Sequence, residues 1–588
     1  MKKALFLALA LGAGSSLAAP FVLPAAWMAE SPSQAKAGGE FRTYSLSDYK
    51  TLNPFTSAEA DSLPDLMSDA GLGGLFTQDP STDKFIPHMA DALPAVSNNG
   101  KRFVVKLRQG MKFSDGQAIT ADDFITTFRI HTDDKVGSNS YDSFFINGKP
   151  VTLKKIDNST LQFDFPQASA SAYSRMSSLM PWPDHVFGPV YKSKGAEGIK
   201  AMWGISANPA SIVSPGPWVI SSYQAGQRAV LKKNPYFGEW NKDGAGKALP
   251  YLDTMSIRLL KDLNAGLAAY LAGQIDTFGA SKADDLAQIK RAIDGGNLKA
   301  NLVPNVSPNS TSSWIVFNWN KSGDAAKQKL FRDVRFRQAM SHVANRQAMI
   351  QLALGGLGSE VYTGVYPVFK NYQFDSTPKY RYDLAAATKL LAQMGYAKKN
   401  AQGYLTNGAG QVLEFNLATN AGNTVREQLG RIFVDEAKKV GVKVNFTPID
   451  FNNLVDQLQA KGANRPFDAI LLGLSGGDNI WPYGSNVVPC GGNLHAFNVP
   501  ADGKCLTPQE SLMTKLYFQG DRTLDDDARR KIGEQLSKAE AQNQGFIYLV
   551  GTNYHVTYNS RLGGEYKRNL WDAYYQSRPY AALTTYIK

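Results

Sequence analysis

The stretch NTVREQLGRIFVDEAKKVGVKVNF, Asn423 to Phe446, reads as one helix handing over to one strand. Asn423 is suited to accept from the free N–H groups of a helix start. Val425, Leu429, Ile432, Phe433 and Val440 recur on one helical face. Gly441 stops the helix, because glycine takes positive φ without a Cβ penalty. Val442, Val444 and Phe446 then alternate with Lys443 and Asn445, the period of a strand. A second helix is expected near Phe451 to Leu458. The apolar run FDAILLGL, Phe467 to Leu474, reads as a buried strand bounded by Arg465-Pro466 and Gly476-Gly477. Helix, strand, helix, strand at these lengths makes an α/β architecture.

The same alternation appears earlier. Phe103, Val105 and Leu107 interleave with Val104, Lys106 and Arg108 as in a strand, and Ser114-Asp115-Gly116 marks a turn. Thr120 and Asp123 form a T-x-x-D helix start, and Phe124 and Phe128 share one face of the helix it opens. No fixed-period repeat is found. With 588 residues, 43% of them hydrophobic, the chain is long enough for more than one domain.

The N-terminus, MKKALFLALALGAGSSLAAP, has two lysines, a short apolar run from Ala4 to Leu11, and the small residues Ser16 and Ala18 at its exit. This is the pattern of a secretory signal segment, too short to span a membrane. Residues 1–18 are the expected signal and 19–39 a flexible leader rich in Ala, Pro, Ser and Gly; cleavage after a later residue than Ala18 stays open. No cysteine follows the apolar run, so a lipid anchor is not expected, and the mature protein is expected to be soluble, exported and periplasmic or otherwise extracytoplasmic.

The formal charge is +12. The bases do not cluster: KRFVVKLRQGMK alternates base with apolar residue as a half-exposed strand does. A generally basic surface, without nucleic acid as partner, is the reading. Cys490 and Cys505 are the two cysteines, and in an exported chain an even pair invites a disulfide. Six scattered histidines show no metal-ligand spacing with them, so neither metal nor cofactor is expected.

GLSGGDNIWPYGSNVVPC, Gly473 to Cys490, satisfies G-x-S-x-G at its start. A nucleophile elbow needs a strand, a sharp turn carrying the serine, and a helix behind it. The strand is there, but Gly476, Gly477, Pro482 and Gly484 come after Ser475 without any apolar period. A loop holding a ligand is preferred to a serine hydrolase using Ser475.

Several further segments, in order, resemble the extracytoplasmic solute-binding proteins of ABC importers in the large peptide/nickel-binding class. They are LRQGMKFSDGQAITADDFITTF (Leu107–Phe128), SPGPWVISSYQAGQRAVLKKNPYFGEW (Ser214–Trp240), LAAYLAGQIDTF (Leu267–Phe278) and FRDVRFRQAMSHVANRQAMI (Phe331–Ile350). The resemblance implies an α/β, two-lobed periplasmic-binding-protein-like fold of type II with an additional inserted domain. Lobe I would comprise 40–75, 206–303 and 554–588, the inserted domain 76–205, and lobe II 304–553. It also implies a monomeric, non-enzymatic receptor. The receptor would capture an oligopeptide- or dipeptide-like solute between its lobes and deliver it to a membrane ABC permease; an oligosaccharide is the alternative.

Where peptide-binding relatives carry a Trp and, close after it, an Asp for the peptide ammonium, this chain has Leu474 and, one place late, Asp478. Asp478 either meets the solute or caps the turn Gly477–Asn479. Trp481 either stacks on the solute or plugs the space under the loop. Gly477, Asn493 and His495 complete the candidate site on this side, with Ser62 opposite, where relatives pair main chain with a peptide.

Overall fold

The computed structural model describes residues 19–56, 62–68, 72–79, 82, 84–280, 282–308, 311–477, 479–565 and 581–588. The signal segment 1–18 and Asp478 lie outside the described residues. Among the described residues no helix is long and apolar enough to cross a membrane.

Three sheets organise the chain. The first has the strand order Trp218–Gln224, Arg228–Lys233, Thr254–Leu259, Glu40–Ser45, its last pair parallel. That pair binds the early chain to a segment more than 200 residues later. The second, wholly antiparallel, comprises Ala95–Ser97, Arg102–Lys106, Thr160–Asp164 and Thr152–Asp157. Its Phe103 and Val105 are buried as their alternation requires. The expected helix is found at Ala121–His131, with the Thr120 N–H bonded to Asp123 Oδ2 at 2.7 Å. These two sheets share one apolar core, running from Phe21 to Ile257 and closed by Leu583 and Tyr586.

The third sheet has its own core, from Trp314 to Val550. Its order is Lys443–Ile449, Glu414–Asn420, Ala469–Ser475, Thr311–Phe317, Phe546–Tyr548, parallel for the first three strands and antiparallel for the rest. The helix Thr424–Val440 packs on it. Asn423 Oδ1 accepts from the Arg426 N–H at 3.0 Å, and Gly441 ends the helix at φ 91°. Gly430 on the same helix makes room for a ring: a Cβ there would lie 2.3 Å from Phe446 Cζ. Ala469 to Leu472 are buried in mid-sheet, as an unbroken apolar run predicts.

The strands Ala300–Ser307 and Tyr554–Asn559 link the parts of the chain around the two cores, paired antiparallel with an irregularity between Val303 and Ser307. The parts of the chain around these two cores also touch across the molecule. Ser169 Oγ donates to Asp521 Oδ1 at 2.9 Å, and Arg175 lies 3.6 Å from the same carboxylate, all three residues buried. Lys50 reaches Asp456 at 2.8 Å.

The segment 19–39, expected as a flexible leader, is instead packed in its described form. Phe21–Val22 pairs in parallel with Asn241–Lys242, and Leu23 and Trp27 are buried in the first core. Lys247 Nζ donates to the carbonyls of Pro32 and Ala35 at 2.7 and 2.8 Å. Composition suggested disorder, but three large apolar side chains are enough to anchor so short a stretch.

Candidate ligand-binding cleft

Between the strand Tyr554–Asn559 and the Thr311–Ser475 end of the third sheet lies a cavity of about 520 Å³. Thr277 to Ala280, Thr311 to Ser313, Gly473 to Ser475 and Thr552 to Thr557 line it. The first turn of the helix Thr424–Val440 also faces it, through Val425 and Arg426.

Arg426 is the chemically decisive wall residue. It sits in the first helical turn, where the dipole is positive and a base costs about 0.3–1 kcal/mol. Its guanidinium donates to Asn420 Oδ1 at 3.1 Å, and among the described residues no carboxylate pairs with it. Glu565 lines the same cavity but is bonded to Thr585 Oγ1. Burial pushes the Arg426 pKa down to about 10, leaving it charged at neutral pH. The guanidinium lies across the neighbouring strand because position 473 is glycine: a Cβ there would be 2.6 Å from Arg426 Nη2.

His555, on the strand Tyr554–Asn559, adds a second donor. The Asn305 N–H donates to its Nδ1 at 2.8 Å, which places the ring proton on Nε2, and among the described residues that N–H has no hydrogen-bond partner. Burial lowers its pKa to about 4, so it is neutral at pH 7. A half-buried cation and a neutral N–H on one cavity wall are suited to a solute that brings an anionic or strongly accepting group.

A family model for bacterial extracellular solute-binding proteins, family 5 Middle, matches residues 84–488. The chain belongs to this solute-binding family. A probable ABC transporter-binding protein of Deinococcus radiodurans is 46% identical over 577 residues, 97% of this chain and 96% of its own. The oligopeptide-binding protein AppA of Bacillus subtilis is 26% identical over 473 residues, 79% of this chain and 78% of its own. Among solved structures, MelB of Agrobacterium fabrum C58 in complex with stachyose superposes with a TM-score of 0.81 at 23% identity. That match covers 97% of this chain and 87% of MelB, and shows the two-lobed fold.

In this solute-binding protein the residues of the loop Gly473–Cys490 divide in function. Ser475 ends the strand Ala469–Ser475, paired with Thr311, and lines the cleft. No helix occurs among the described residues between it and Pro508, so the elbow geometry is missing. Gly477, at φ 97°, lies on the Phe369 ring, 2.8 Å from where its Cβ would be. Trp481 is 2% exposed: its ring centroid lies 4.6 Å from that of Tyr483, and a Cβ on Gly520 would come within 2.0 Å of the indole. The ligand-stacking reading of Trp481 is therefore corrected to the plug, since its faces are covered by protein.

His495 is likewise corrected. It is fully buried, with Nδ1 2.8 Å from the Val487 carbonyl and Nε2 3.2 Å from Glu510 Oε1. Asn493 faces the opposite domain instead of a solute: its Nδ2 donates to Asn139 Oδ1 at 3.0 Å and its N–H to Asp142 Oδ2 at 3.4 Å. Ser62 opens the helix Ser62–Ser68, and residues 57–61 before it lie outside those described. Cys490 and Cys505 form the expected disulfide, 5.2 Å between Cα atoms. Cys490, His495 and Glu510 cluster within 4.8 Å, but the disulfide removes the thiolate a metal site would need.

Sequence reasoning missed Arg426 and His555. A signal for the first was present: a base three places after a helix cap, where acids are favoured. For His555 there was none, because its partner Asn305 lies 250 residues away.

Proposed function

We propose that this protein is the extracytoplasmic receptor of an ABC importer, binding an oligopeptide-like solute between its lobes without altering it and presenting the closed form to a membrane permease. The observation that carries the peptide reading is Arg426, a cleft cation that no described carboxylate neutralises. A peptide brings a carboxylate, whereas a neutral sugar does not. The oligopeptide-binding relative supports the same class. The apolar N-terminal run, read as a signal segment, agrees with export. Ligand contacts available only when both lobes meet would favour closure.

The competing solute is an oligosaccharide, suggested by the stachyose bound to MelB and by Leu474 standing where peptide-binding relatives carry Trp. Titration calorimetry with free-acid oligopeptides, their C-terminal amides and stachyose separates the two. Free acids are expected to bind more tightly than amides. Binding of stachyose alone would overturn the peptide reading.

A further inference from the structure

Behind the loop Gly473–Val488 lies a second cavity, of about 240 Å³. Leu474 and Ser475 line both it and the cleft, so the two spaces adjoin through that strand end. Its walls mix apolar side chains, Pro482, Val487, Val488 and Leu494 among them, with the polar Ser485 and Asn486. One wall residue is a carboxylic acid, Glu540, from the helix Asp526–Asn543.

Glu540 is 7% exposed. Its Oε1 accepts from the Gly364 N–H and the Tyr548 hydroxyl, both at 3.0 Å, while Oε2 has no hydrogen-bond partner among the described residues. Among the described residues no lysine or arginine pairs with it. The Tyr483 hydroxyl, on the same cavity wall, is already engaged: it lies 2.6 Å from the Gly533 carbonyl and 2.8 Å from Ser537 Oγ. An unmet buried acid oxygen is costly and calls for a partner. Burial raises the Glu540 carboxyl to about 7, consistent with the absence of a neutralising base.

We propose that this cavity is a side pocket of the solute cleft, which takes one side group of the ligand ending in a hydrogen-bond donor, with Glu540 Oε2 as the acceptor. The side pocket rests on the solute-binding function proposed for the cleft and adds a selectivity to it: a hydroxyl-bearing group is preferred to its hydrogen-only isostere. The hydroxyl comes from a peptide side chain if the solute is a peptide, and from a ring if it is a sugar.

The test, run above about pH 8 so that Glu540 is ionised, uses the full chain and alanine tripeptides carrying a single Tyr or Phe at each position in turn, with stachyose as a second arm. At one position, Tyr is expected to bind about ten-fold more tightly than Phe to the wild-type protein. In Glu540→Gln the amide oxygen can keep the Gly364 and Tyr548 bonds and turn its NH₂ toward the pocket, replacing an acceptor by a donor. That variant is expected to bring the Tyr/Phe ratio to about one while Phe binding persists. Ser485→Phe, at the pocket wall, is expected to weaken both peptides at that position and spare the all-alanine tripeptide. Thermal melts establish that both variants fold. An unchanged Tyr/Phe ratio in Glu540→Gln, or unchanged binding in Ser485→Phe, overturns the side pocket and leaves the receptor reading standing. Should stachyose alone bind, and lose about ten-fold in Glu540→Gln, the pocket stands with a sugar hydroxyl as its occupant. No binding of any probe to the wild-type protein overturns the receptor reading and the pocket with it.

Discussion

Two regions around the third sheet border the cleft, and they use their residues in opposite ways. The loop Gly473–Cys490 is rich in chemically suggestive side chains, yet its Trp481 is sunk among Tyr483, Tyr372 and Gly520, and its far end is tied by a disulfide. The helix Thr424–Val440 looks like plain scaffold, capped and amphipathic, yet its first turn supplies the cleft's cation. A loop without regular backbone bonding needs large side chains and a covalent tie to hold its shape. A helix holds its own, and is free to project one long side chain outward.

That contrast breaks most readily at Trp481. Trp481→Ala is expected to cost about 3–5 kcal/mol of stability as a cavity-forming change, read by denaturant unfolding. A loss of affinity with stability unchanged would return Trp481 to the ligand surface. Cys490→Ser with Cys505→Ser should cost about 3 kcal/mol in the same assay, from freeing a 15-residue separation.

The acid behind the loop sharpens the comparison through pH. The folded carboxyl of Glu540 is raised to about 7 from 4.5, so its contribution to stability is fully present below about 4.5 and is lost as pH rises through 7. Glu540→Gln should therefore flatten the pH dependence of unfolding between those values by up to about 3 kcal/mol. Asp123, raised by burial to about 6, has the same sign and would leave a residual slope.

Arg426→Ala is expected to act oppositely to Trp481→Ala. Carboxylate-bearing peptides should bind about 10–100-fold more weakly by calorimetry, the worth of a charged hydrogen bond. Stability should stay within about 1 kcal/mol, because removing a base from a helix start relieves the dipole. Equal binding of acid and amide peptides in the wild type would remove Arg426 from the site.

Much of the architecture could be read directly. The Asn423 cap, the Gly441 stop, the Thr120–Asp123 helix start and the buried run at Ala469 all depend on neighbours within a few residues. The cysteine pair was legible too, because two thiols in an exported chain leave one pairing. The leader was misread, since Phe21, Leu23 and Trp27 are stabilised by a core formed from segments up to Tyr586. Of the site, the loop's place beside the cleft was legible, while the direction of its side chains was not.

Local sequence thus determined where helices and strands begin and end, that the chain builds α/β lobes, and that a glycine-rich loop follows a buried strand. Tertiary structure alone decided which polar groups remain without a partner. Arg426 crosses a strand through the space left by Gly473, His555 takes its tautomer from Asn305, and Glu540 shares one oxygen between Gly364 and Tyr548. Caps and periods arise from bonds between near neighbours. An unmet donor or acceptor is a sum over everything packed around it, and that sum exists only once distant segments have met.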